Sequence, residues 1–283
     1  MANRDDPSAV RWLVGVELIR YRERAGQTIT AAAKEIACSP GKISHMESGR
    51  NQQQPAEVTA LMRFYGADQA AADRLASLAS SAGDQTWWAP WTDVVPDWLS
   101  TFVGLEGLAT HAVWYSPLVL PALLQTGGYA LGVTAGSIRV RPDHNERMVS
   151  LRMERQSRLF DDEEPLNLTA ILEEVVLHRP IGGPSVMRAQ LEHLIAVAQR
   201  DNVELLVLPT AVGAHDALVG PFTALDFTSA QSIAYVELVN GAVYVQDQDQ
   251  VAVYARIIDR LREVALAPAR SVEVIRSYLT AMP

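Results

Sequence analysis

Residues 28–50, TITAAAKEIACSPGKISHMESGR, constrain this chain more than any other stretch, because they read as two short helices joined by a tight turn. Ala31, Ala32, Ala33, Ile36 and Ala37 give a small-residue helix that another helix can approach closely. Thr28 stands where an N-cap hydroxyl serves the unpaired amides of the first turn. Cys38-Ser39 breaks the pattern. Ser39 then caps a second helix, and Pro40 takes its first position, where a missing N–H costs nothing. Gly49 stops that helix. Ile43 and Met46 point one way, toward the first helix, while Ser39, Lys42 and His45 recur every three residues on another side. A short helix with an apolar side and a small, basic, donor-rich side suits insertion into a DNA groove. An ordinary helical hairpin with a solvated polar face gives the same pattern, so both readings stand at this point.

The chain has 283 residues and a net charge of −9, and 48% of its residues are hydrophobic. That length suggests about two domains with ample core. The charge is unevenly spread. Residues 1–80 carry 10 Lys and Arg against 9 Asp and Glu, whereas residues 81–283 carry 14 against 24. Within residues 11–50 the basic residues exceed the acidic ones, 7 to 4. Phosphate contact depends on the local face, so an acidic second domain is compatible with DNA binding. No run of about 18 uncharged apolar residues is present to span a bilayer, and MANRDDPSAV lacks the apolar core of a signal peptide. Cys38 is the single cysteine, which excludes an internal disulfide and a Cys-rich zinc site. The expected location is cytoplasmic, with no membrane partner.

In chain order, residues 1–10 read as disordered. Residues 12–25 form a first helix, with Leu13, Val16 and Ile19 at helical spacing, ended by Gly26. Residues 51–55 make a polar loop, and residues 58–65 and 68–82 supply two more helices. A boundary falls at residues 80–84. The expected organisation is a helix-turn-helix DNA-binding domain over 1–82, a Trp-rich linker over 83–96, and an α+β sensor or partner-binding domain over 97–283. Trp87, Trp88, Trp91 and Trp98 crowd the linker, either as a ligand platform or as aromatics pinning the linker down.

Residues 96–160 read as mostly helical. They include an apolar stretch, 111–130, broken by Pro117 and Pro121, and a long helix over 143–160 bearing Arg147, Arg152, Arg155 and Arg158. That series either grips an anionic ligand or forms a solvated, ion-paired face. From Pro165 the period shifts toward two, and strands are expected at 166–171, 203–208, 222–227, 233–238 and 243–245. Asn240-Gly241 signals a hairpin, and 185–200 and 248–265 read as amphipathic helices. The expected second domain is α+β: helices, then a mixed or antiparallel sheet with packing helices. An apolar pocket is expected around Leu120, Leu124, Arg152, Arg155 and Trp88.

No G-x-S-x-G elbow, G-x-x-x-x-G-K-[ST] loop, G-x-G-x-x-G fingerprint or H-E-x-x-H pair occurs. Glu174 and His178 share a face in either secondary structure, but two ligands from one element are too few for a metal site. His215-Asp216 lacks a visible nucleophile. The expectation is a chain that is not an enzyme and holds no metal or cofactor.

Two resemblances add to this reading. Residues 28–50 resemble the XRE-type helix-turn-helix of the lambda and 434 repressor-like fold, whose recognition helix ends in E-x-G, here Glu47-Ser48-Gly49. The resemblance implies five helices in about 80 residues and an ion pair between Arg22 and Glu47. Where that family often carries glutamines at the start of the recognition helix, this chain has Pro40 and Gly41, so base readout shifts to Lys42, His45 and Ser44. Residues 87–283 resemble the second domain of the WhiJ-like or Scr1-type antitoxin-like regulators of actinomycetes. The matching pieces are Trp87-Trp88, LEGLAT at 105–110, LPALLQTGGYA at 120–130 and RMERQ at 152–156. They continue with LEEVVLHRPIGGPSVMRAQL at 172–191, LPTAVGAHDALVGPF at 208–222 and YVELVNGAVYVQD at 235–247. Ala122 replaces the glycine of that family's P-G-L-L-Q-T. The resemblance implies a regulator encoded beside a small partner protein.

Together these give the expected function: a homodimeric, sequence-specific regulator of double-stranded DNA, with a second domain that senses a ligand or docks a partner. The rival is an antitoxin-like interaction protein that neutralises its partner and autoregulates. Lys42 and His45 are expected on base edges, and Thr28, Ser39, Ser44, Ser48 and Arg50 on phosphate. Lys42→Ala should weaken specific binding by about 1–3 kcal/mol if that lysine reads a base.

Overall fold

Asp6 starts the first helix. In the computed structural model, which describes residues 6–81 and 86–282, its carboxylate accepts from the amides of Ser8 at 2.8 Å and Ala9 at 3.1 Å. Pro7 follows at the first helical position of α1 (Pro7–Arg24). Residues 6–10, expected to be disordered, are therefore ordered helix, because the cap satisfies the first amides and Ala9 and Val10 are fully buried. Residues 1–5 of that expectation, and residues 82–84 of the expected boundary, lie outside the described residues.

The chain divides into two compact units. One comprises Met1–Pro90, Asp97–Ala109 and Asp226–Gln231; the other comprises Trp91–Pro96, Thr110–Leu225 and Ser232–Pro283. The first unit contains α2 (Ile29–Glu35), α3 (Pro40–Glu47), α4 (Pro55–Phe64) and α5 (Gln69–Ser80). Their apolar faces close on one core that includes Val14, Leu18, Ala33, Ile43, Met46, Leu61 and Leu75. A further helix, α6 (Asp97–Leu108), packs on α1 in the same unit. Gly104 makes this approach possible, since a Cβ there would sit 2.8 Å from Ala9 and Asp6. Residues 97–109, assigned to the second domain in the sequence reading, thus fold with the first unit. Trp88 donates its indole N–H to Asp6, so this aromatic pins residues around it to the start of α1.

The second unit is built on one six-stranded sheet of order β3-β2-β1-β4-β5-β6. The strands are β1 (His111–Ser116), β2 (Asn167–Glu173), β3 (Val203–Leu208), β4 (Phe222–Asp226), β5 (Ile233–Leu238) and β6 (Gly241–Val245). β1, β2 and β3 run parallel, in registers such as Val113↔Thr169 and Ile171↔Leu206. β5 is antiparallel to both β4 and β6, so the sheet is mixed, as expected. Crossovers carry α7 (Gly127–Ala135), α8 (Asn145–Gln156) and α9 (Pro184–Val197), and the chain ends in α10 (Gln248–Val264) and α11 (Pro268–Ala281).

Three details depart from the sequence reading. β1 falls in the region read as mostly helical; a central parallel strand is buried on both faces, so HAVWYS shows no alternation to reveal it. The long helix expected over 143–160 is α8 flanked by 3-10 turns at Pro142–His144 and Ser157–Phe160. The hairpin forms, but Leu238 pairs with Gly241, so Val239-Asn240 make the turn and Gly241 opens β6.

The LPALLQT segment is buried and knit by glutamines. Gln125 donates to Leu120 O at 2.7 Å, Gln156 to Leu123 O at 2.8 Å, and Gln190 to Leu124 O at 2.7 Å. No helix among the described residues is long and apolar enough to cross a membrane.

Candidate nucleic-acid interface

The α2–α3 unit is fixed from three sides. Thr28 accepts from Ala31 N at 3.1 Å and caps α2; Ser39 accepts from Lys42 N at 3.2 Å and caps α3. The turn between them is closed by Cys38 N donating to Ala33 O at 2.8 Å, with Ala37 held at φ 51°. That is a left-handed helix stop built on alanine where glycine is usual.

Beneath α3, the guanidinium of Arg22 donates twice to Glu47, from Nε to Oε1 at 2.6 Å and from Nη2 to Oε2 at 3.0 Å. Its Nη1 also donates to Gln27 O at 3.2 Å. Hydrogen bonding to Glu47 raises the arginine's pKa above its already high ordinary value. The ion pair implied by the resemblance is therefore present. Gln53, which the sequence reading left in a polar loop, is buried and donates from Nε2 to Met46 O at 2.6 Å and Arg11 O at 2.9 Å. It ties the end of α3 to α1. Nothing in its local sequence distinguishes it from Gln52 and Gln54.

With Ile43, Met46 and Glu47 buried, α3 turns Gly41, Ser44, His45 and Ser48 outward, spaced as one helical face. Arg50 follows, also exposed. The outward stripe is thus 41, 44, 45 and 48 rather than 39, 42 and 45. Ser39 is exposed at its cap, as is Thr28. Lys42 lies at the edge of the stripe and its ammonium is paired with Glu57, which raises its pKa through that hydrogen bond. Glu57 thus competes with any phosphate or base for the Lys42 ammonium.

The residues weighed for other chemistry engage one another in the second unit. Glu174 accepts from Thr210 N and from the Tyr278 hydroxyl, both at 2.9 Å. These bonds, with the Thr210 amide foremost, hold its pKa below the usual value. His178 stacks on Tyr278. His215 pairs with Glu173 at 2.9 Å rather than with Asp216, which pairs with Arg260. Among the described residues, no group of three or more His, Cys, Asp or Glu side chains forms a metal set.

The expected ligand pocket does not assemble as drawn. Leu124 is in the core, and Trp88 belongs to the first unit. Arg152 donates to Gln125 Oε1 at 3.0 Å, its pKa lowered to about 10 by burial and then by Arg155. Arg155 is itself buried. Of these five residues, Leu120 alone lines the cavity beside β1 and β4.

A capped, buttressed helix pair that offers a bare helical face defines a helix-turn-helix DNA-binding protein. Comparison with known families agrees: residues 13–75 match the family model of a helix-turn-helix domain. Residues 99–277 match the domain of unknown function DUF5753, and the chain belongs to that family. No curated protein and no solved structure matches the chain.

Proposed function

We propose that this chain is a sequence-specific transcriptional regulator of the XRE type that binds double-stranded DNA as a homodimer, with α3 in the major groove. The observation that carries the reading is the outward stripe of α3, backed by the Arg22–Glu47 pair and Gln53. On this reading His45 and Ser44 meet base edges. Thr28, Ser39, Ser48 and Arg50 meet phosphates, and Lys42 joins them on release from Glu57. One such helix spans few base pairs, and two-fold pairing doubles the site. The second unit tunes DNA affinity by taking up a ligand or a partner. The proposal gives it no catalytic step.

The test is fluorescence anisotropy of the full chain against DNA from upstream of its own gene, with scrambled DNA as competitor, at two salt concentrations. Binding that survives the competitor and is lost in His45→Ala supports the proposal. Equal affinity for both DNAs removes it. The antitoxin-like reading draws support from Leu218 and Val219, which are 64% and 95% exposed in one loop, as a partner-docking surface is. A tight complex with a small protein encoded nearby, formed without DNA, would favour it.

A further inference from the structure

We infer that the second unit holds a binding site for a neutral, ring-containing, largely apolar small molecule, in the cavity where β1 meets β4. This deepens the reading of that unit as a sensor and rests on it only for the site's role. The argument begins with topology. From β1 the chain passes outward to β2 and β3, then returns to place β4 on the other side of β1. The carboxyl end of β1 therefore lies beside the start of β4, at the point where the strand order reverses.

A cavity lies there. It is formed by the end of β1, the start of β4, the end of β5 and residues 136–139, and its volume is about 550 Å³. Sites for small organic ligands span about 300–1,000 Å³.

Its walls state the ligand's chemistry. Trp114 and Tyr235 bring two aromatic side chains to the lining, on the face of the sheet that Thr223 shares, while Tyr115 and Phe222 turn to the opposite face and pack in the core with Ile258 and Leu261. The rim is apolar and open to solvent: Ile138 is fully exposed, Leu118 57% and Val239 82%. Five of the large hydrophobic side chains exposed on this chain, Leu118, Val119, Ile138, Leu238 and Val239, line this one cavity. Apolar surface gathered in this way marks a binding site rather than chance exposure. The charged groups lining it, Arg139 and Glu237, pair with each other at 2.9 Å. The lining residues themselves therefore carry no net charge, and Ser116 and Thr223 are the hydroxyl-bearing residues of β1 and β4 among them.

The experiment titrates the full chain, without DNA, with Nile red, a neutral polycyclic dye, and separately with the anionic dye anilinonaphthalene sulfonate. Leu118→Asp and Ile138→Asp alter exposed rim positions and leave the core intact. Val264→Asp, at an exposed site on α10 outside the cavity, is the control. The expected result is saturable one-to-one Nile red binding with blue-shifted emission, weakened at least tenfold by either rim variant. Val264→Asp should bind as the parent does, and melting temperatures should be unchanged throughout. The inference is overturned by absent or non-saturable Nile red binding, by equal weakening in Val264→Asp, or by preference for the anionic dye. It is also overturned if sedimentation shows that the rim variants dissociate a dimer, since a second copy then covers the patch. DNA anisotropy is read separately: Nile red binding as described, without specific DNA binding, would leave the site standing and remove the regulator.

Discussion

Arg22 and Glu47, 25 positions apart in sequence, meet as a two-pronged ion pair on the inner side of α3, with side chains only 13% and 6% exposed. Removing one partner strands the other charge in a site built for both. Arg22→Ala should therefore cost about 3 kcal/mol, the lower end for a buried pair because some solvent reaches the arginine. Arg22→Met combined with Glu47→Leu should recover most of that loss. Urea unfolding of the three proteins checks both. Equal stability of the single variant and the parent would show that the pair only positions α3.

Gly15 lies where α1 crosses the end of α3. A Cβ at this position would stand 2.3 Å from the Glu47 carbonyl oxygen and 2.9 Å from that of Met46. Both obstacles are backbone, so the helices must part. Gly15→Ala should destabilise by about 3 kcal/mol, at the upper end for overpacking, although alanine is the better helix former. DNA affinity should fall with it, because α3 moves. Thermal melting and anisotropy on one preparation test the coupling.

The DNA-binding half was legible because its signals are local. Thr28, Ser39, Pro40 and Gly49 each sit at a helix end that the structure confirms, and the apolar positions follow one helical period. What stayed hidden is set by tertiary context. β1 is apolar on both faces and carries no period, Gln53 looks like its solvated neighbours, and Lys42 looks free until α4 brings Glu57 beside it. The cavity in the second unit is assembled from residues more than 120 positions apart, such as Trp114 and Tyr235, which no local pattern joins. Of the pocket named from sequence, only Leu120 reaches it.

Ala37 is the only non-glycine residue with positive φ among the described residues, at 51°. Its Cβ disfavours this conformation by about 1 kcal/mol, while the hydrogen bond from Cys38 to Ala33 holds it there. Ala37→Gly should raise stability by up to about 1 kcal/mol, after allowance for the greater freedom of glycine in the unfolded chain. A higher urea midpoint with an unchanged slope is the expected readout, and a lower midpoint would refute it.

Glu57 restrains the one lysine on α3. Glu57→Gln removes the competing carboxylate and leaves Lys42 to seek phosphate. DNA affinity should rise for specific and scrambled sequences alike, and the plot of log K against log salt should steepen by about 0.9. A gain confined to the specific DNA would instead place Lys42 on a base edge. No gain would mean that the lysine stands too far from the duplex to be used.

His193 on α9 should make stability depend on pH. It is partly buried, and burial lowers its pKa from the ordinary 6.5. Between the folded pKa and 6.5 the unfolded chain then binds more protons than the folded one, so acid favours unfolding. The contribution of His193 is complete above pH 6.5 and is lost as the pH falls from there through the lower, folded value. His193→Phe keeps a ring in place and removes the proton site. Melting temperatures measured from pH 7.5 down to 5.5 should fall more steeply for the parent than for this variant. Parallel slopes would mean that His193 ionises in the folded protein as readily as in the unfolded chain.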